Sequence, residues 1–493
     1  MKSLDLLVIG GGINGAGIAR DAAGRGLSVL LVEKDDLAAH TSSSSSKLIH
    51  GGLRYLEHYE FRLVAEALAE REVLLRVARH LVWPARFVMP HVPELRPRWM
   101  IRAGLFLYDH LARRTSLPGS HAVRLDAPPY NSGLRPQFKH GFIYSDCRVD
   151  DARLVVINAM DARRRGVEIL TRTECLSARR EGESWRATLA GGREVRARAI
   201  VNAAGPWVKR VLNERLGQAS RDGVKLVKGS HIVLPQLYQG DHAFILQNDD
   251  RRVVFMIPYG ERHTLVGTTD VALEGDPGEA QASVAETAYL CRAVGRYLAQ
   301  PVDPAQVAWR YTGVRPLYDD GTNDPSAITR DYTLRVDDAS GAAPVLSIYG
   351  GKVTTYRRLA EHAMHQLAPY FPGLKGDWTA TEPLLGGDFA GASREQARDA
   401  FFARYRGLPQ EALRGLFRRH GMLAYEVLGD ARTVTDLGES FGGELYAREV
   451  DYFLAREWAQ SAEDVLWRRT KAGLHLDPAQ REAVARYCAQ RVS

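Results

Sequence analysis

Residues 4–33 read LDLLVIGGGINGAGIARDAAGRGLSVLLVE, and this stretch decides the fold. Leu4 to Ile9 is a short apolar run, the signature of a parallel strand buried on both faces. Gly10-Gly11-Gly12-Ile13-Asn14-Gly15 follows at once and matches G-x-G-x-x-G. Gly10 permits a tight turn, Gly12 lets backbone approach a pyrophosphate, and Gly15 permits close helix–strand packing. The alanine-rich residues up to Gly24 then read as a helix whose first N–H groups, Asn14 among them, face the anion. Gly26 ends that helix and Leu27 to Val32 form a second strand, completing a βαβ unit. Glu33 closes this strand 18 residues after Gly15, where a carboxylate grips ribose hydroxyls. An acidic group there disfavours a 2′-phosphate, which leaves FAD and NAD.

The bulk numbers frame that motif. A chain of 493 residues holds two or three domains. Its net charge of +7, from 66 basic and 59 acidic residues, favours anionic partners such as phosphorylated metabolites or acidic lipid. No basic stripe interleaved with aromatics appears, so nucleic acid is not an expected partner. Cys147, Cys175, Cys291 and Cys488 form no C-x-x-C pair, which argues against zinc or a disulfide framework and fits a reducing, cytoplasmic compartment. No metal site is expected: His50 and His58 are close in sequence but lack a carboxylate or cysteine at ligand spacing. No run approaches the length needed to span a bilayer. The opening MKSLDLLVIGGG is a first buried strand, since Asp5 and the glycine turn do not suit a signal peptide.

Beyond the βαβ unit comes TSSSSSK, residues 41–47, where hydroxyls of Thr41, Ser42 and Ser46 and the Lys47 ammonium can approach a pyrophosphate. Phe61, Val64, Leu68, Leu75 and Ala78 recur at helical spacing, predicting one helix from Glu57 to Leu81. Short strands fill residues 165–205 and 225–275. ARAIVNAAG, ending at Gly205, resembles the late strand that returns to the nucleotide in two-domain flavoproteins. SIYGGKVTTY, Ser347 to Tyr356, is a strand, a glycine turn and a helix start. A helix N-terminus aimed at the flavin N1–C2=O edge stabilises the anionic reduced flavin, which selects FAD over NAD. After about residue 385 the pattern is helical and charged to the end.

The expected class is therefore α/β, α+β overall. A Rossmann-like FAD-binding domain (about 1–80, 145–225 and 340–385) is interleaved with an antiparallel-sheet substrate domain (about 81–144 and 226–339). Residues 386–493 are predicted as a separate C-terminal helical domain.

The segments VIGGGINGAGIARDAAGRGLSVLLVEK, TSSSSSKLIHGGLRYLEHYEFRLVAEAL, YSDCRVDDARL, VNAAGPWV, KGSHIVLP, VGTTD, TGVRPL, ITRDY and GGKVTTYR resemble the FAD-dependent, aerobic, respiratory sn-glycerol-3-phosphate dehydrogenases. The resemblance covers nearly all of residues 1–385 and is less specific beyond. It implies oxidation of glycerol 3-phosphate to dihydroxyacetone phosphate by non-covalent FAD. Electrons would pass to a membrane quinone, from a peripheral position on the cytoplasmic face of the membrane. A homodimer is compatible with the sequence.

Oxidising a secondary alcohol removes a hydride from C2 and a proton from its hydroxyl, so a base must lie within hydrogen-bond reach. On the KGSH match, His231 is the expected base. Arg315, in TGVRPL, is expected to polarise the C2 oxygen. Arg54 and Tyr55 are expected to hold the phosphate, and the resemblance adds Arg330; arginine forks suit its oxygens. Lys352 is expected beside both substrate and flavin, with Thr354 and Thr355 capping the helix and donating to the flavin carbonyl. Arg98 to Arg114, RWMIRAGLFLYDHLARR, mixes apolar and basic residues as an interfacial helix on anionic lipid does. Rival readings are an oxygen-using glycerol-3-phosphate oxidase, an amino-acid or sarcosine-type oxidase, and a flavin sensor without turnover.

Overall fold

The computed structural model describes residues 3–492 apart from 93, 95, 113–115, 219–222, 320–330 and 339–340. Its first layer grows from the strand Ser3–Ile9, flanked in parallel by Val29–Val32 and Glu194–Asn202. Glu168–Leu170 and Val345–Tyr349 extend the parallel part on either side. Leu6, Leu7 and Val8 are fully buried, which is why this strand reads as unbroken apolar sequence rather than as an alternation. The helices Ile13–Gly24, Asp151–Arg164 and Tyr356–Leu367 cover one face. An antiparallel hairpin, Cys175–Glu181 with Ser184–Leu189, is attached to Glu194–Asn202 and buries Trp185 in the core on the other face.

The second layer is a mainly antiparallel sheet. Gly223–Pro235 lies between His263–Gly267 and Trp309–Asp319. The order continues through Val253–Tyr259, Ala243–Gln247, Val82–Pro90 and His140–Val149 to the short strand Leu48–Ile49. Leu48–Ile49 and His140–Val149 hydrogen-bond within this sheet.

The helix predicted from Glu57 to Leu81 spans only Phe61–Val77, preceded by a 3-10 turn over Leu53–His58. Tyr59 adopts φ +58°, which no continuous right-handed helix accommodates. Phe61, counted in the apolar stripe, is 39% exposed, whereas Val64 and Leu68 are buried. The apolar-basic stretch forms the helix Arg98–His110; Arg113 and Arg114 lie outside the described residues. Among the described residues no helix is long and apolar enough to cross a membrane.

C-terminally, the helices Arg394–Arg404, Gln410–His420, Ala447–Arg456 and Pro478–Val492 dominate. Phe401, Phe417 and Phe453 join one apolar cluster with Ile18, Leu154 and Leu359 of the nucleotide-binding layer. The C-terminal helical unit packs on the nucleotide-binding layer through this shared apolar cluster.

Candidate active site

A cavity of about 590 Å³ opens where the glycine turn faces the antiparallel sheet. Gly10, Gly12, Asn14, Glu33, Thr41, Ser42, Ser46 and Gly205 line it, together with Arg54, Tyr55, His231, Arg315, Lys352 and Thr354. Residues drawn from sequence positions 10 to 354 are thus gathered into one chamber.

The nucleotide cradle is built by absent side chains. Gly10 has φ +115°, and a Cβ there would stand 2.5 Å from the Ala203 carbonyl oxygen. At Gly15 a Cβ would come within 1.9 Å of the Gly10 oxygen, so the helix sits against the strand only because Gly15 has none. Ser42 Oγ accepts from Ile13 N–H at 3.0 Å, placing a hydroxyl at the helix start. Glu33 accepts from Gly11 N–H at 2.6 Å and Asp35 N–H at 2.9 Å. Burial pushes its carboxyl above the ordinary range despite those two bonds. Asn14 donates to Gly350 O at 3.2 Å while its Oδ1 is buried without a partner. This cradle, with an orphaned acceptor beside the SIYGGK turn, fits the pyrophosphate and flavin of FAD.

His231 lines the cavity on the side of the antiparallel sheet. Its ring stacks on Tyr311 with centroids 4.9 Å apart, and Ser46 Oγ lies 2.9 Å from Nε2. Gly267 makes room for the ring: a Cβ there would meet His231 Cδ2 at 2.0 Å. Nδ1 is buried without a partner. Burial first, then the Lys47 and Arg315 cations, hold the imidazole well below 6.5, so it is neutral at neutral pH. Arg315 is oriented by Asp270 and Thr268, its NH1 donating to Asp270 Oδ1. Lys352 Nζ is buried with no hydrogen-bond partner, 4.0 Å from the Tyr55 ring centroid. A buried cation so placed lacks a counter-charge among the described residues. Arg54, also lining the cavity, makes no ion pair with a described residue.

Several assignments change. Lys47 does not reach the cavity: its ammonium bonds both Asp151 oxygens at 2.9 Å and Ser43 O at 2.8 Å, bracing the serine loop from behind. The Thr41 hydroxyl donates to Val314 O at 2.7 Å. Thr354 Oγ1 accepts from His50 N–H at 3.2 Å, and Thr355 occupies the N-cap without a side-chain cap bond. Neither Thr354 nor Thr355 caps the helix with its side chain. Arg330 lies outside the described residues.

Other residues escaped the sequence reading. His50, weighed there only as a metal ligand, lines the cavity, and burial together with Lys352 lowers its imidazole to about 4. Behind it, Gly51 N–H donates to Tyr108 Oη at 2.9 Å, and Tyr108 donates to buried Asp146 at 2.7 Å. Asp146 in turn pairs with Arg71 at 2.8 Å. Asp146 and Asp151 stand in YSDCRVDD, and Thr268 and Asp270 in VGTTD; those motifs were the available signal.

Comparison with known proteins agrees with this geometry. The family described as FAD dependent oxidoreductase matches residues 5–357, and the C-terminal domain of alpha-glycerophosphate oxidase matches residues 378–492. A glycerol-3-phosphate dehydrogenase of Pseudomonas aeruginosa is 54% identical over 487 residues, 98% of this chain and 94% of the relative. The D-erythritol 1-phosphate dehydrogenase of Brucella abortus is 50% identical over 487 residues, covering 98% and 97%. The crystal structure of glycerol-3-phosphate dehydrogenase from Bacillus halodurans complexed with FAD superposes with a TM-score of 0.78 at 27% identity, covering 100% of this chain and 91% of that one. With the FAD cradle, the cation-lined chamber and whole-length identity above 50%, the chain belongs to the FAD-dependent glycerol-3-phosphate dehydrogenase family.

Proposed function

We propose that the protein oxidises sn-glycerol 3-phosphate to dihydroxyacetone phosphate and passes the electrons to a membrane quinone. The observation that carries this reading is the unpaired, buried Lys352 ammonium beside Tyr55, in the chamber that also holds Arg54 and the neutral imidazole of His231. FAD, when bound, supplies the acceptor for the hydride leaving C2. Lys352, Arg54 and Tyr55 bind the phosphate, and Arg330 joins them by family resemblance. Arg315, steadied by Asp270, polarises the C2 oxygen. The C2 hydroxyl proton goes to the His231 ring nitrogen not engaged with Ser46. His50 is the second imidazole in the chamber and helps orient the substrate.

The test is anaerobic: sn-glycerol 3-phosphate should bleach the flavin absorbance, and lactate or glycine should not. Bleaching with lactate or glycine at the same rate would remove the substrate assignment. The 50% identical erythritol-phosphate enzyme supports a second reading, a four-carbon polyol phosphate. Faster bleaching by D-erythritol 1-phosphate would establish it. Peroxide formed stoichiometrically under air, with no quinone reduction, would make the protein an oxidase instead.

The electron acceptor implies a bilayer surface. The helix Arg98–His110 exposes Trp99 (70%) and Phe106 (54%), with Met100 and Leu107, next to exposed Arg98 and Arg102. Apolar side chains flanked by cations suit an anionic leaflet and a peripheral position on the cytoplasmic membrane face.

A further inference from the structure

We propose that the C-terminal helical layer is a clasp that sets FAD affinity, acting on the adenosine half of the cofactor through Arg469 and Asp36. This inference rests on the placement of the FAD ribose at Glu33.

Residues 33–40 connect the second parallel strand to the serine loop in irregular conformation, with Ala38 at φ +59°. Glu33, Lys34, Ala38, Ala39 and His40 line the cavity from this loop. The nucleotide-binding layer fixes its first residue, with Glu33 N–H donating to Leu170 O at 2.9 Å and Thr173 N–H to Glu33 O at 2.7 Å, and reaches residues 34–40 through Ala38 N–H to Gly11 O at 3.2 Å and Arg172 N–H to Asp35 O at 2.8 Å. The stronger restraint comes from more than 400 residues away. Asp36, 2% exposed, receives a two-pronged fork from Arg469 at 2.7 and 2.8 Å and a further bond from Arg468 at 2.7 Å. Arg469 is itself fully buried and donates to Glu457 O. The same C-terminal turn grips the other wall, since Asp464 accepts from Arg172 at 2.6 Å, beside cavity-lining Thr173 and Glu174.

Bidentate, desolvated pairs of this kind fix position as well as adding energy. An irregular loop otherwise loses its freedom when the nucleotide binds, and that ordering cost weakens binding. With Asp36 already tied, the cost is met during folding, and cavity-lining Lys34, Ala38, Ala39 and His40 stand in place beside Glu33. Arg469 and Asp36 are thus positioning residues, distant from the reacting atoms.

The test uses the full-length protein with FAD, ADP and riboflavin as probes. In Arg469→Met and Asp36→Asn, FAD and ADP dissociation constants should rise by roughly 10- to 100-fold, with riboflavin changing less than about threefold. The combined loss in the double variant should be well below the sum of the two single losses, because both act through the Asp36–Arg469 fork. By reciprocity, FAD should slow amide exchange across residues 464–471 in the unmodified protein and not in Arg469→Met. Unchanged FAD affinity in a folded variant would overturn the proposal, as would equal losses for riboflavin and ADP. If Arg469→Met does not fold, the partly exposed Arg172→Gln tests the same turn by the same readings. Glu33→Gln separates the premises: unaltered ADP affinity there rejects the ribose placement, whereas weakened ADP binding there and normal binding in Arg469→Met rejects the clasp.

Discussion

His231 shows how much a side chain's chemistry owes to its neighbours. Free imidazole titrates near neutrality, but burial and two nearby cations keep this ring neutral far below that point. Replacing His231 by Ala should leave FAD bound and slow anaerobic flavin reduction by roughly 10²–10⁴-fold. Near-normal reduction would pass the role to His50. The depressed pKa also sets a pH dependence. With either imidazole as base, activity requires the neutral form, so the acid limb of the rate at saturating substrate should fall below pH 6.5. A midpoint at or above 7 would exclude both. Motif matching brought His231 and Arg315 into view, because each stands in a short, ordered string. His50 was legible as a residue but not as a site member: only the fold brings its ring to Phe255, at a centroid distance of 6.2 Å, and its backbone to Thr354.

The helix Arg98–His110 works on two faces at once. Outward it exposes Trp99 and Phe106; inward, Tyr108 bonds Gly51 and Asp146 at the base of the turn that carries Arg54 and Tyr55. Trp99→Ser with Phe106→Ser should abolish sedimentation with anionic vesicles and leave flavin reduction in solution intact. Retained vesicle binding would move the membrane contact elsewhere. Tyr108→Phe removes a hydroxyl that serves two buried partners, and an unmet buried partner costs about 1–3 kcal/mol. The expected result is a KM for glycerol 3-phosphate raised by roughly tenfold, with FAD retained; an unchanged KM would show that Gly51 holds its place without Tyr108. The mixture of apolar and basic residues predicted this helix, and helical spacing of apolar residues predicted the one that runs over Phe61–Val77. The start of the latter was misread because nothing in residues 57–60 announces that Tyr59 adopts a left-handed conformation.

Across the whole molecule, buried charge holds the C-terminal layer to the nucleotide-binding layer. Arg153 of the helix Asp151–Arg164 pairs with Glu457 across the two layers, and within the C-terminal layer Glu449 pairs with Arg419 at 2.7 Å and His420 at 2.9 Å. Burial alone would raise the Glu449 carboxyl, but Arg419 and His420 outweigh it and lower its pKa from 4.5 to about 2. A depressed acid stabilises the fold above its unfolded pKa and loses that contribution as pH falls through the folded one. About 3 kcal/mol should therefore disappear between pH 4.5 and 2. Thermal melts of Glu449→Gln should lack that part of the acid slope; a slope equal to the unmodified protein's would refute it. The βαβ unit, the choice of FAD and the family were readable from residue order, because a glycine turn between two apolar runs has few other physical uses and acts over neighbouring positions. The clasp on Asp36, the brace of Lys47 on Asp151 and the Tyr108–Asp146 support were not, because each joins residues far apart in the chain. Arginine and aspartate look alike in sequence whether solvated or buried, and it is burial in a shared core that turns them into struts.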